Sequence, residues 1–229
     1  TDKKVVGVLD PAKLDRIYRF LRLWRKLKGW QMWELDLVLE HQRIGAGALD
    51  EAFLVQFFEF CLLKKRLGDK ATVEQICGLF GDLNTWGPFT KPHERRGAAL
   101  YQSVFLNRRL IHPLDSTFEI DPATNDIRPI VDPVTTLITQ HRVADHRPAM
   151  LAALGMRESD LVVLEGLTRA SDGTAYVNGD LTLASLSFLW RHAWLLRVFN
   201  YKADEWKTLL ELLGQDVDAF ASPDVARTF

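Results

Sequence analysis

The chain has 229 residues, 47% hydrophobic and 26% charged, and its 29 Lys+Arg against 30 Asp+Glu leave a formal net charge of −1. That length is ample for a buried core and the fractions are ordinary for a globular domain, which excludes wholesale disorder, a collagen-like fibre and a coiled-coil rod. A net charge this close to zero supplies no overall field to draw the chain onto nucleic acid or an anionic membrane.

Helical periodicity dominates the predicted elements. Asp10-Pro11 reads as a helix start, with Asp as N-cap and Pro in the first turn. Leu14, Ile17, Tyr18, Leu21, Trp24 and Leu27 then recur at spacings of three and four as one apolar face. Gly29 is the expected end, and a second apolar segment follows from Trp30 to Leu39. Phe53 to Leu67 repeats the pattern and closes at Gly68 as a C-terminal cap. Thr72-Val-Glu-Gln75 has the form of a capping box ahead of Ile76, Leu79 and Phe80.

From about residue 82 to 133 the chain is rich in Pro and Gly, with one convincing helix near Arg96–Arg108. Trp86, Phe89, Tyr101, Phe105 and Phe118 need burial, so this reads as an excursion between helical layers within one domain covering 1–229. Phe118–Ile120 and Ile127–Ile130 flank a turn-rich Asp121–Asp126, the signature of a short hairpin. A second turn-rich patch runs from Ser171 to Gly179. The longest apolar runs, Phe53–Leu63 and Leu183–Val198, are interrupted by Gln56, Glu59, Arg191 and His192. Neither reaches the roughly 18 to 20 residues of a membrane-spanning helix.

A weak internal repeat links the helices. Gly29-Trp30 leads to Glu34-Leu35, Gly155-Met156 to Asp160-Leu161, and Asn200-Tyr201 to Glu205-Trp206. In each, Gly or Asn would take a left-handed cap and the acid would sit in the next helix's first turn. The expected fold is therefore mostly α, an irregular stack of antiparallel helix pairs of α-solenoid type with one or two short β-hairpins in loops.

Candidate chemistry is sparse. His141 and His146 lie five apart beside Asp145, a spacing that on a helix does not put both rings on one face. His93-Glu94 lacks a second histidine at zinc-hydrolase spacing, and His112 and His192 stand alone. Cys61 and Cys77 cannot build a disulfide framework, nor complete a structural zinc site by themselves. Asp121, Asn125 and Asp126 resemble calcium ligands but read as turn formers. No nucleophile elbow, P-loop or dinucleotide fingerprint occurs, so no catalytic residue, cofactor or metal is expected. Lys13, Arg16, Arg19, Arg22, Arg25 and Lys26 form a basic stripe along the first helix. Arg16, Arg19, Arg22 and Lys26 are the candidate interaction surface, either a solvated or ion-paired outer face or a site for an anionic partner. Six of the seven tryptophans (Trp24, Trp30, Trp33, Trp190, Trp194 and Trp206) fall mostly on apolar helical spacings and read as packing.

Several stretches resemble the A component of bacterial Tc insecticidal toxin complexes, in its large helical shell, a family that includes the virulence-plasmid A proteins. They are Leu14–Arg25 running into Gly29–Asp36, Phe80–Thr85, Leu100–Asn107 and Leu181–His192, together spanning about residues 9 to 222. These are packing motifs and carry over no active site. The resemblance implies a secreted parent that assembles as a pentamer, with a helical shell around a channel that delivers a toxic enzyme. It implies as partners other segments and protomers of the same component, the B and C components through the parent, and a host-surface receptor. Membrane contact would come only through the parent's channel, and no nucleic acid is expected. The chain opens at Thr1 without a signal-peptide pattern, which agrees with an excised section of such a parent. The competing expectation is a free-standing helical module that binds a protein, glycan or nucleic acid.

Overall fold

Asp10 begins the first helix as its composition dictates: its carboxylate accepts from the Lys13 amide at 2.8 Å and Pro11 occupies the first turn of α1 (Pro11–Trp24). The computed structural model describes residues 10–86, 98–167, 175–212 and Pro223. Helix α1 stops at Trp24, short of Gly29, because the chain tightens there. Lys26 and Leu27 donate to the Leu23 and Trp24 carbonyls, both at 2.9 Å, before Gly29 turns the backbone at φ +85°.

Helix α2 (Met32–Glu40) starts where Glu34 accepts from the Gln31 amide at 2.6 Å. Helix α3 (Glu51–Leu67) starts on the Asp50 side chain and ends at Gly68, with φ +56°. Helix α4 (Val73–Phe80) opens on the expected capping box, Thr72 and Gln75 each bonding the other's amide. Among the described residues the helix near Arg96–Arg108 is only α5 (Leu100–Phe105). Beyond it come α6 (Arg147–Leu154), α7 (Glu158–Glu165), α8 (Leu183–Phe199) and α9 (Ala203–Leu212). Gly155 after α6 and Asn200 after α8 are left-handed caps, as the repeat implied.

The fold is mostly α, with two small antiparallel sheets of two strands each among the described residues. Strands β1 (Ile120–Asp121) and β2 (Asp126–Ile127) pair across the predicted turn, Ile120 opposite Ile127. Ile130 belongs to a second, unforeseen hairpin, β3 (Ile130–Val131) with β4 (Ile138–Thr139). The loop-rich stretch thus runs on past 133. Its anchors are Tyr101, Phe105 and Phe118, all buried, with ring centroids 5.2 and 5.6 Å apart in sequence. The Tyr101 hydroxyl donates to the Phe118 carbonyl at 2.8 Å. Trp86 corrects expectation: it is 63% exposed. Phe89 and Arg96 lie outside the described residues, as does the start of the Ser171–Gly179 patch, residues 171–174.

Helix α8 is the axis of the core. It packs against α4, α6 and α7, and every residue from Ser185 to Leu196 is buried. Helix α2 packs on α4, and α7 on α9. Helix α1 is different, with no buried residue. Only its Phe20, Leu23 and Trp24 side, continued by Leu27, leans on the core. Leu14, Ile17 and Tyr18, the start of the predicted apolar face, are 51%, 44% and 63% exposed.

Candidate functional site

A polar concavity forms where α2, α4, the β1–β2 turn and α8 meet, and it begins with a helix end. The last carbonyls of α4 have no partner within the helix. His41, just past α2, donates to the Cys77 carbonyl. Arg191 of α8, only 7% exposed, donates through Nε to Gly78 O at 3.4 Å and through Nη2 to Gly81 O at 3.0 Å. A cation at a helix C-terminus also suits the helix dipole. Burial pulls the His41 pKa down to about 4, with the charges of Arg43 and Arg191 adding to the effect, so His41 is a neutral cap. Gly81 is small for a reason: an added Cβ would stand 2.8 Å from His41 Nε2. Burial pushes the Cys77 thiol far up, leaving it unreactive.

Outside this cap lies a cavity of about 630 Å³ with Arg43, Asp82, Thr85, Trp86, Asn125 and Asp126 on its walls. Asp126 Oδ1 accepts from the Ile127 and Leu183 amides at 2.7 and 2.6 Å, joining the hairpin to the first turn of α8. Thr85 Oγ1 donates to Asn125 Oδ1 at 2.6 Å. Asp121 accepts from the Ala123 amide, and Asn125 sits at φ +54°, so all three calcium-like residues serve the turn. Burial raises the Asp82 pKa, against the lowering effect of Arg191.

Asn84 holds the rim of the cavity. Its Nδ2 donates to Glu74 Oε1 at 2.9 Å and to the Trp86 carbonyl at 2.7 Å, while its Oδ1 accepts from the Trp86 amide at 3.1 Å.

His141 and His146 correct the spacing argument. They share no helix: His141 precedes a 3-10 turn at Val143–His146, and the ring centroids come within 5.3 Å. Asp115 Oδ2 lies 2.6 Å from His146 Nδ1. The hydrogen bond from His146 helps hold the Asp115 carboxyl low, while burial and the charge of His146 depress His141. Asp115 and His146 flank a cavity of about 420 Å³ whose other walls include Leu110, Pro113 and Ala149. Among the described residues its lining holds the His112 and His146 imidazoles with Asp115 and Asp145, and neither serine nor cysteine. His192 is structural, fully buried, and its Nδ1 accepts from Trp206 Nε1 at 3.0 Å. His93 and Glu94 lie outside the described residues.

The basic stripe splits. Arg16 pairs with Glu40 at 3.2 Å, and Arg19 with Asp15 at 2.6 Å and the Leu49 carbonyl at 3.3 Å. Among the described residues the Arg22 and Lys26 side chains make no hydrogen bond or ion pair. No group of three or more His, Cys, Asp or Glu among the described residues could hold a metal ion. None of their helices is long and apolar enough to cross a membrane.

No family model, curated protein or solved structure matches the chain. What the chain can do is set by its own residues. Those that sequence reading missed are His41, Asn84 and Arg191. Arg191 had a signal, a charge in the middle of a mostly apolar run, four positions after Ser187.

Proposed function

We propose that the chain is a structural section of the helical shell of a Tc-type toxin A component, contributing to intoxication by assembly and not by catalysis. The observation that carries this reading is uncovered apolar helix surface. Leu14, Ile17 and Tyr18 on α1 and Leu54, Val55 and Phe58 on α3 are between 44% and 63% exposed. Hairpin β3–β4 adds Val131, Leu137 and Ile138, also exposed. Contiguous apolar faces of this kind are interaction surfaces, and a slice through a larger helical wall must have them at its seams. Arg16 and Arg19, exposed but already engaged with acids and a carbonyl, fit an ion-paired outer face better than an anion-binding stripe. In this reading the partners are neighbouring segments and protomers of the same component. The B and C components and a host receptor are engaged through the secreted parent.

The test is the parent. A reading frame of thousands of residues, whose product forms hollow helical particles by electron microscopy, is the expected result. A reading frame ending close to these 229 residues would overturn the proposal.

A further inference from the structure

Trp86 is an anomaly in this chain. Trp190, Trp194 and Trp206 are buried, whereas Trp86 presents 63% of its surface to solvent. Its backbone is tied in place. The Asn84 clamp bonds both its amide and its carbonyl, Glu74 fixes the clamp, and the Tyr101 amide donates to the Asn84 carbonyl at 3.1 Å. A large apolar ring held out in water by a preorganised backbone is the arrangement a ligand platform requires.

Its position points the same way. Trp86, Thr85 and Asn125 form the wall shared by the cavity of about 630 Å³ and a second of about 450 Å³. A ligand laid across Trp86 would reach both. The groups around it offer acceptors and donors together. Asn125 Nδ2 has no partner among the described residues, and Asp126 uses one carboxylate oxygen on backbone amides. Gln102 and Glu119 line the far side. With Glu40, Asp82 and Asp126 facing Arg43, the larger cavity is net acidic, which disfavours phosphates, nucleic acid and sulfated polymers. A lone indole is also no aromatic cage for a quaternary ammonium, which needs several rings.

We infer that this cleft binds a neutral oligosaccharide, with the C–H face of one pyranose ring stacked on Trp86 and its hydroxyls on Asn125, Asp126 and Asp82. The inference stands apart from the shell reading, since either can fail without the other. The stack uses the ring's electron-rich face against weakly positive C–H groups, and the amide and carboxylates supply direction.

The experiment titrates the 229-residue chain with tri- and tetrasaccharides of glucose, mannose, galactose and N-acetylglucosamine, followed by saturation-transfer NMR and calorimetry. A heparin-derived tetrasaccharide and phosphocholine are the charged controls. At least one neutral oligosaccharide should bind with a Kd of about 1 mM or tighter. Trp86→Ala should weaken it at least about tenfold, and Trp86→Tyr should restore much of the loss. Asn125→Gly, which keeps the positive φ available but removes the acceptor of the Thr85 hydroxyl, should weaken it in a chain that still unfolds cooperatively. No binding by any neutral sugar at about 10 mM overturns the inference. So does binding indifferent to Trp86→Ala, or binding of a charged control alone.

Discussion

Helix α1 has the cleaner apolar stripe of the two most informative helices, yet nothing on it is buried. Helix α8 has no clear polar face, carries Ser187, Arg191 and His192 in its middle, and is buried from Ser185 to Leu196. Amphipathic spacing states which side of a helix is apolar, not whether this chain holds anything to cover it. The polar residues of α8 go inside because each completes another element. Ser187 accepts from Leu83, Arg191 ends α4, and His192 takes the Trp206 indole N–H. The apolar residues of α1 stay outside because the helix docks on its Phe20–Trp24 side.

The contrast can be broken most directly at Arg191. Arg191→Ala strands the Gly78 and Gly81 carbonyls and empties volume in the core, and should destabilise by about 3 kcal/mol in urea unfolding. Arg22→Ala on α1 should stay within about 0.5 kcal/mol. If the two variants unfold alike, α8 is not the axis described. Gly78→Ala probes the α4–α8 seam from the other side. Its new Cβ would meet Trp190 Cζ3 at 2.7 Å, and overpacking of this kind costs about 1–3 kcal/mol.

The same helix should also show a pH response, smaller than these effects over any one pH unit. Burial, helped by the charge of Arg191, lowers His192 from the ordinary 6.5 to about 3. Between those values the unfolded chain binds a proton that the folded one refuses. The stabilisation from a neutral His192 is complete above pH 6.5 and is lost as pH falls toward 3, at about 1.4 kcal/mol per pH unit. Denaturant midpoints measured at successive pH values should show this slope added to that of His41, which is depressed to about 4, and His192→Gln should remove the His192 share. The smallest effect belongs to α1. Leu14→Ser, Ile17→Ser and Tyr18→Ser should each change stability by no more than about 0.5 kcal/mol while improving solubility. A loss of several kcal/mol would mean that the chain covers this face itself.

What was legible in the sequence was local chemistry. The Asp10 cap, the Thr72–Gln75 box, the Gly68, Gly155 and Asn200 caps and the β1–β2 turn each follow from a few neighbouring residues. What stayed hidden depends on distant ones. The end of α1 is set by i→i+3 turns that Gly29 does not announce, and β3–β4 has little turn signature beyond Asp132-Pro133. The meeting of His141 with His146 was missed because the spacing test presumed a helix where the chain is extended and then 3-10. Trp86 was expected inside because tryptophans usually are, and only the distant Glu74 and Asn125 reveal why it stands at a rim.

The contact between α4 and α8 reaches beyond their own stability. Leu83 bonds Ser187 across 104 positions, and Arg191 reaches Gly78 across 113, so the chain leaves this point and returns to it. Two helices welded at their crossing form a socket, and whatever sequence is set between them begins and ends in fixed places. Closing such a loop depends only weakly on its length, each doubling adding about 0.6 kcal/mol. The tip of the second hairpin within that stretch is therefore open to lengthening, trimming or exchange, provided Tyr101, Phe118, Asp126 and the buried faces of α6 and α7 keep their seats. Variation among relatives of this chain should collect there, and engineered insertions should be accepted in the tip around Val134 before anywhere along α8.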